Sequence, residues 1–465
     1  MNYYRIGIFV FCFCTGGLRL LSAQEKPQEW TLKNCIDYAL TQNIQLKKSK
    51  IALESSQVDS KSARAKLFPS LSFGSTQQYI NTPFPEGNSL DNYVVTGSKG
   101  SSKNSYTGNY SLRSSMTLYN GGKLRNNIKS SKLQEQVQQY SVEEEIDNIE
   151  TSITESFLQI LYAQESVKIN EETVALSKLQ CERGKALLEA GSISQSDYAQ
   201  LESQYSSDKY QLVLSQTTLE GNIQTLKQLL EMDMTETLNI STPILEAHDV
   251  LTPLPGKEEV YQSALNFIPS IQSGKLGIDI AKLEHKNAKA GYYPTLDLSA
   301  SVGTGHISGS DSNFGQQMKN KLNESIGLTL SIPIFSNREN KSAVEKAKLQ
   351  ISEAELEYLN AQKELQKTIE DIYLDATSSQ AQYAAAIEQV KASKTSYNLA
   401  QEQFNLGMKN TVELLTEKNN FLSAQQEMLQ AKYMAILNAL LLRFYQGKEI
   451  TLQIKTNKKL NRHIQ

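Results

Sequence analysis

The clearest pattern in the chain is an alternation of apolar and polar residues over positions 326–334. A period of two over this length predicts a β-strand with one apolar and one polar face. Pro333 cannot donate to a strand ladder, so the strand is expected to end near it. Ser336 and Asn337 offer turn and helix-cap chemistry for the long polar helix that begins near Asn340. The alternating residues are Ile326, Leu328, Leu330, Ile332 and Ile334 against Gly327, Thr329 and Ser331.

Three earlier segments show the same strand pattern, and Gly- and Ser-rich loops at about 81–104 and 305–319 join the strands in pairs. One strand opens at Pro69, the next ends at Gly121-Gly122, and the third opens at Pro294. Four aromatic residues lie at the strand ends nearest the helices, where they suit either a membrane interface or ordinary strand-end packing. The apolar positions are Leu67, Leu71, Phe73; Tyr106, Tyr110, Leu112, Met116, Leu118; and Leu296, Leu298, Ala300, Val302; the aromatics are Phe68, Tyr119, Tyr293 and Phe335.

The remaining pattern is helical, with apolar residues three, four or seven positions apart. We expect a helix from Thr31 to about Lys66, a long helix over about 124–189, and a return helix over about 194–231. Gly191 breaks the chain between the last two. The long helix carries a coiled-coil seam, and the return helix carries a heptad row. The seam is Val142, Ile146, Ile149, Ile153, Phe157 and Ile160, and the row is Tyr198, Tyr205, Leu212, Leu219 and Leu226.

The second half repeats the first, which indicates an internal duplication. Pro294 follows Pro69 by 225 residues, and Gly407 follows Gly191 by 216 residues. We therefore predict a first repeat over 24–231, an irregular linker over 232–257, a second repeat over 258–447 and a tail over 448–465. The second repeat opens with a helix over about 258–290, and its long helix ends near Phe404.

Helix lengths predict how these elements stack. A long helix spans roughly 100 Å, a return helix about 55 Å, and the helix before each strand pair about 50 Å. Two shorter helices placed end to end therefore match one long helix. The breaks between the shorter helices should lie halfway along the long helices, a level called mid-height below.

Four strands per chain raise the problem of the open sheet edge. Four strands cannot close a barrel, and an open edge cannot face lipid. Either the strands lie outside a membrane or several chains share one barrel. Three chains would supply about twelve strands, enough for a water-filled lumen.

Composition restricts the compartment and the partners. The 465 residues are 39% hydrophobic and carry a formal net charge of −3, which gives no reason to expect a nucleic-acid partner. Arg5, the apolar run 6–14 and Ala23 have the pattern of a secretory signal, with cleavage after Ala23. The alternative, an uncleaved membrane anchor, is disfavoured because the apolar run is short.

The sequence shows no motif for catalysis, a metal or a cofactor. After signal removal only Cys35 and Cys181 remain, far apart on different helices, so two unpaired thiols are expected. The four His residues are scattered and have no metal-ligand spacing. No nucleophile elbow or phosphate-binding glycine loop is present. We therefore predict neither an enzyme nor a cofactor.

The order of these pieces resembles the TolC-like outer-membrane efflux proteins over essentially the whole mature chain. The matching pieces are LKNCIDYALTQN near the start, LFPSL and YYPTL at the strand openings, LYNGGKLRN and IPIFSNREN at the strand-to-helix junctions, and LLEAGSISQSDYAQ and QFNLGMKNTVELLTEK at the helical tips. The resemblance implies a trimer with a twelve-stranded barrel in outer-membrane lipid and a periplasmic tunnel of helices. It further implies passive efflux or type I secretion, with a periplasmic adaptor (membrane fusion) protein and an inner-membrane pump as partners.

The resemblance also implies roles at the tips. The turns at Gly191, Ser192, Ile193, Gly407 and Met408 would dock on the adaptor. Asp197 and Lys409 would form a closing latch between the two tips of one chain or of neighbouring chains. Phe404 cannot contribute to it the hydroxyl that a family tyrosine supplies. Glu413 would line the aperture, with Thr416 in place of a second acidic residue and Glu417 beside it. The alternative is that these charges are ordinary solvated side chains at helix starts.

A second function remains compatible with the helical pattern. A periplasmic coiled-coil structural or tethering protein would explain the heptads and the signal. It would not explain four alternating strands at duplicated positions.

Overall fold

A computed structural model of the chain describes residues 29–81, 104–243 and 250–452. The predicted signal segment and most of the first loop lie outside these ranges. The first half contains α1 (Leu32–Gln42), α2 (Ile44–Ala65), β1 (Ser70–Asn81), β2 (Asn104–Asn120), α3 (Lys123–Glu189) and α4 (Gln195–Leu229). The second half contains α5 (Lys257–Phe267), α6 (Pro269–Ala290), β3 (Thr295–Ile307), α7 (Phe314–Asn320), β4 (Asn323–Ser331), α8 (Glu339–Asn405) and α9 (Thr411–Phe444). The duplicated helix and strand order predicted from the sequence is confirmed.

Each helix that precedes a strand pair is broken, where the sequence pattern predicted a continuous helix. The first break falls at Asn43, whose side-chain oxygen accepts a hydrogen bond from the backbone N–H of Leu46 at 3.0 Å and so begins α2. The second falls at Ile268, and Pro269 occupies the first turn of α6, where its missing N–H costs nothing. The two breaks are 225 residues apart and belong to the duplication.

The four strands form one antiparallel sheet in the order β1-β2-β3-β4. Strand β4 ends at Ser331, earlier than the alternation predicts, and Ile332 and Ile334 lie beyond the ladder. Helix α8 is capped by Arg338 in a left-handed conformation, with φ +68° and no side-chain cap bond. The expected side-chain cap at Ser336-Asn337 is therefore wrong. The chain instead turns through two left-handed residues, as it does at Gly121 and Gly122 before α3.

The second strand-joining segment contains a short helix, α7, where a loop was expected. Helix α7 lies beside the part of β3 that extends beyond β4. The backbone N–H of Ile307 donates to Gln317 Oε1 at 2.8 Å, and Gln317 Nε2 donates back to the Ile307 carbonyl at 3.2 Å. This amide thus replaces the missing strand partner at that edge.

The helices follow the order of the strands. In the half next to the sheet, α2 packs on α3, α3 on α6, and α6 on α8. In the other half, α4 packs on α3, α3 on α9, and α9 on α8. Elements α2 and β1 therefore form one side of the molecule, and β4 and α8 form the other.

The main hydrophobic core lies at mid-height, where the shorter helices meet. The middle of α3 contributes Ile153, Phe157 and Leu161, and α8 contributes Ile369. The ends of α4 and α9, the first turns of α1 and the buried Trp30 close around them. Fully burying one such apolar side chain stabilises the fold by about 1.5–3 kcal/mol. A second, smaller core at the tips contains Tyr397, Phe404 and Leu414.

Candidate functional sites: a two-faced sheet and two helical tips

The register of the sheet separates an apolar face from a polar face. Residues directly opposite in a ladder share a face, and Phe73, Leu112 and Val302 lie opposite one another across three strands. The same face carries Leu71, Met116, Leu296, Leu298, Ala300, Ile326, Leu328 and Leu330, and one charged residue, Glu324, near the start of β4 opposite Val302. Leu71, Phe73 and Leu328 are 65–71% exposed. An apolar sheet face with no protein cover is typical of a membrane-facing surface.

The opposite face is polar and small. It carries Ser70, Ser72, Gly74, Thr76, Asn109, Ser111, Ser299, Ser301, Gly303, Ser325 and Thr329. It also bears two charged residues, Arg113 opposite Ser301 and Asp297 opposite Thr117. Thr117 Oγ1 donates to Asp297 Oδ1 at 2.6 Å. Small hydroxyl, amide and glycine residues of this kind fit the wall of a water-filled lumen.

Exposed aromatic rings mark the helix-side boundary of the sheet. Phe68, Tyr119, Tyr293 and Phe335 lie at the ends of the four strands and are 47–84% exposed. At the other end His306 packs against Phe314, with ring centroids 4.9 Å apart, and stacks on Tyr110. Gly108 leaves room for the His306 ring, since a Cβ there would lie 2.2 Å from it. Aromatic residues at both ends of an apolar band suit the two interfaces of a membrane.

The two helical tips have the same backbone geometry. Gly191 and Gly407 both have φ +72°, and each ends a long helix. The N–H of Ser192 donates to the Leu187 carbonyl at 2.8 Å, and the N–H of Met408 donates to the Gln403 carbonyl at 2.8 Å. These are Schellman turns, which require a residue that tolerates the left-handed conformation. Both tips line one cleft, together with Ile193, Ser194, Asp197, Lys409, Asn410, Thr411 and Glu413.

Of the proposed latch residues, Asp197 is hydrogen-bonded within its own helix cap, Lys409 forms no ion pair with it in the described structure, and Phe404 is packed in a core. Ser194 and Asp197 form a capping box, in which Ser194 Oγ donates to Asp197 Oδ2 at 2.6 Å and accepts from the Asp197 N–H at 3.1 Å. Hydrogen bonds from Ser194, with a smaller effect of the nearby Thr411 hydroxyl, lower the pKa of Asp197. Within the described chain no ion pair joins Asp197 to Lys409. Phe404 is 8% exposed and packs in the tip core.

The three aperture candidates differ in whether their side chains already form hydrogen bonds. Glu413 lies in the first turn of α9, where its N–H donates to Asn410 Oδ1 at 2.9 Å, and its side chain is exposed. The Thr416 hydroxyl donates to the Val412 carbonyl of its own helix at 2.8 Å. Ser396 of α8 donates to Glu417 Oε2 at 2.8 Å. Glu413 is therefore the carboxylate most available to a pore.

Two polar contacts between helices were not predicted from the sequence. Lys418 of α9 and Asp208 of α4 form an ion pair, with 2% and 6% of each residue exposed. Nearer mid-height, Lys432 Nζ donates to Glu165 Oε1 at 2.7 Å, and the Tyr433 hydroxyl donates to the same oxygen at 2.7 Å. Asp208 and Lys418 occupy core positions of their heptads, three after Tyr205 and four after Leu414. A charged residue at a core heptad position was the feature of the sequence from which this pair could have been suspected.

Two acidic residues at mid-height, Asp147 and Glu150, have raised pKa values. Burial, reinforced by Glu150, Glu143 and Glu144, raises the pKa of Asp147 to about 7. Burial also raises the pKa of Glu150. The Asp147 side chain lines a small hollow with Glu144, Pro269, Glu364 and Tyr445.

The described residues contain no metal site. No group of three or more His, Cys, Asp or Glu side chains in the ranges that the structure covers could hold a metal ion. Cys35 and Cys181 are free thiols, as expected, and burial raises the pKa of Cys35 to about 12. Among the helices in these ranges, none is long and apolar enough to cross a membrane.

The fold and its sites define a class of protein in which long paired helices extend from a sheet with one lipid-compatible face. The model of the outer membrane efflux protein family matches the chain twice, over residues 35–231 and 260–448. The chain belongs to this family. It is thus an efflux channel protein of the outer membrane, and the two matched segments agree with the internal duplication.

Individual relatives support the same assignment. The outer membrane efflux protein BepC of Brucella suis biovar 1 is 22% identical over 340 residues, covering 72% of each chain. The outer membrane protein TolC of Escherichia coli K12 is 21% identical over 440 residues, covering 91% of this chain and 83% of that protein. A crystal structure of CusC superposes with a TM-score of 0.76 at 16% identity, covering 90% of this chain and 92% of that one. These similarities favour the channel over the tethering protein.

Proposed function

We propose that three copies of this chain form one passive export duct, with a shared barrel in the outer membrane and a helical tunnel in the periplasm. The duct docks through its tips on a periplasmic adaptor, and an inner-membrane pump supplies the energy. No catalytic step is assigned to the chain. The division into repeats 24–231 and 258–447, a linker 232–257 and a tail 448–465 is part of the proposal.

This proposal is supported most strongly by the two open edges of the sheet, at β1 and β4. Strand β1 pairs on one side with β2, and β4 pairs on one side with β3. Each therefore presents unpaired backbone groups on its other side. In lipid an unsatisfied backbone group costs several kcal/mol, so these edges must find partners. The edge of β4 in one copy can pair with the edge of β1 in the next.

The helices next to the sheet also present surfaces on their two outer sides that can pair with a neighbouring copy. Helix α2, on the β1 side, carries Ile44, Ile51 and Val58 seven residues apart and 49–64% exposed. Helix α8, on the β4 side, carries Leu349 and Leu356 seven residues apart and 66–70% exposed. Apolar rows of this spacing are typical of a coiled-coil seam with a partner helix. A neighbouring copy would bury both rows while it pairs the strands.

The repeated contact must close into a ring, because a head-to-tail contact that does not close produces a fibre. Two copies would give about eight strands, a barrel filled by its own side chains, and three give about twelve and an open lumen. The polar face of each sheet then lines that lumen.

Docking is assigned to the tips because they are the only turns at the sheet-distal end of the described helices. Met408 is 71% exposed, and Ser192 is exposed beside it. We expect Ser192→Trp and Met408→Trp each to abolish export in cells that lack the native protein. The physical reason is that a bulky side chain at the turn blocks close approach of a partner without touching the sheet.

Drug or dye accumulation in such cells measures the effect, and native gels measure assembly. The matched control is Asp311→Trp, at the opposite end of the molecule, which should export normally. Full export by both tip variants at normal assembly would contradict docking at the tips.

A further inference from the structure

We propose that the polar face of the sheet carries an anion-binding site, formed around Arg113 and Lys321, that selects for negatively charged groups inside the duct. The ligand class is small or terminal anions, such as carboxylate, phosphate or sulfate groups. The inference rests on the proposed trimeric duct and adds a substrate preference to it.

The site is a hollow of about 1100 Å³ on the polar face, between the middle of the strands and the start of β4. Arg113 and Lys321 both line it. Among the described residues that line this hollow, none is Asp or Glu. Side-chain and hydroxyl donors surround the two cations, including Ser72, Asn109 and Ser301.

The ladder register shows that Arg113 points into this hollow. Arg113 lies opposite Ser72 on β1 and opposite Ser301 on β3, and both serines belong to the polar face. These small neighbours leave the guanidinium exposed, and it has no ion-pair partner among the described residues. An unpaired guanidinium presents a planar fork of donors that matches carboxylate and phosphate geometry.

The other charge on this face, Asp297, does not neutralise the site. It lies four positions along the ladder from Arg113, which corresponds to about 13 Å along the strand. Asp297 is not among the residues that line the hollow, whereas Lys321, which lies in the other direction along the strands from Arg113, does line it. Asp297 is also engaged by the Thr117 hydroxyl.

Symmetry strengthens the effect in the assembled duct. Three copies would place three Arg113 and three Lys321 side chains around one lumen, and rings of Arg or Lys make pores favour anions and phosphates. The low-dielectric wall concentrates this field and raises the local concentration of counter-ions. The preference is opposite in sign to that expected of Glu413 at the far end of the tunnel.

The test is electrical, on the full-length protein reconstituted in planar lipid bilayers with inorganic pyrophosphate as the probe. Pyrophosphate should block the wild-type pore. The on-rate of block should fall roughly tenfold in the Arg113→Gln/Lys321→Gln double variant, because the steering field is removed. Arg113→Lys should retain block. Lys319→Gln removes one positive charge from α7 outside the hollow and should leave block unchanged.

The outcomes separate the two proposals. A wild-type protein that gives no conductance steps overturns the duct itself. Conductance with equal pyrophosphate block in wild type and double variant overturns the anion site and leaves the duct standing. An equal loss of block in Lys319→Gln would assign the effect to general surface charge and also overturn the site.

Discussion

Lys418 and Asp208 form a buried ion pair that joins the two return helices, α9 and α4. Gln204 Nε2 also donates to the Asp208 carboxylate, at 2.8 Å. The pair lies between the tip and mid-height, on helices from different repeats. Because both charged groups are buried away from water, the desolvation penalty of each is offset by the opposite charge of the other.

Removing one member of this pair should destabilise the helical part of the molecule. We expect Lys418→Met to lower the free energy of unfolding by about 3–5 kcal/mol, since it leaves a buried carboxylate unpaired. Guanidinium unfolding in detergent, followed by far-UV circular dichroism, measures the change. The double variant Asp208→Leu/Lys418→Met should recover most of the loss. Lys409→Met, at the half-exposed tip, is the control, and an equal loss there would contradict the assignment.

The tip latch is predicted to act between neighbouring copies, since within one chain Asp197 is engaged by its own helix cap. Lys409→Ala should increase antibiotic leakage and single-channel conductance of the resting pore, because it removes the cation of the latch. Asp197→Asn should do the same while it keeps an oxygen for the Ser194 N–H. If neither variant changes conductance, these two charges are ordinary surface groups.

The aperture prediction concerns Glu413. Three copies would bring three Glu413 carboxylates around the axis, and like charges in a ring attract cations. Glu413→Gln should therefore reduce cation preference in planar bilayers and weaken block by multivalent cations. Glu417→Gln is the matched control, because an amide oxygen can still accept from Ser396. Unchanged selectivity in the Glu413 variant would place the constriction elsewhere.

The acidic residue at mid-height predicts a pH dependence. The pKa of Asp147 is raised to about 7 in the folded protein, so the native state binds its proton more tightly than the unfolded chain does. The contribution of Asp147 to stability should therefore fall as pH rises from about 4 through about 7. Asp147→Asn should raise the melting temperature at about pH 8 and have less effect at about pH 5. Glu357→Gln, at an exposed site on α8, should change neither.

The strands and their faces could be predicted from the sequence because alternation reports directly on which side of a sheet a residue lies. The paired positions Phe73, Leu112 and Val302 confirm this across three strands. The breaks at Asn43 and Ile268 were missed because the apolar spacing of the helices continues across them. Pro269 was nevertheless a signal for the second break.

Tertiary contacts account for what the sequence did not predict. Helix α7 lies in a segment whose composition is typical of a loop, and its position depends on the Gln317 amide bonding to Ile307. The Lys418–Asp208 pair required knowing which helices become neighbours, since 210 residues separate its members. The tip glycines were identified because a left-handed turn demands them.

The shared barrel is tested most directly by the native mass of the detergent-solubilised protein. A shared barrel predicts a stable particle of three chains, which migrates as a trimer on a gel without heating and as a monomer after boiling. It requires this because the edges of β1 and β4 cannot remain unpaired in lipid. A stable, folded monomer in detergent that still inserts into membranes would show that the barrel is not shared between chains.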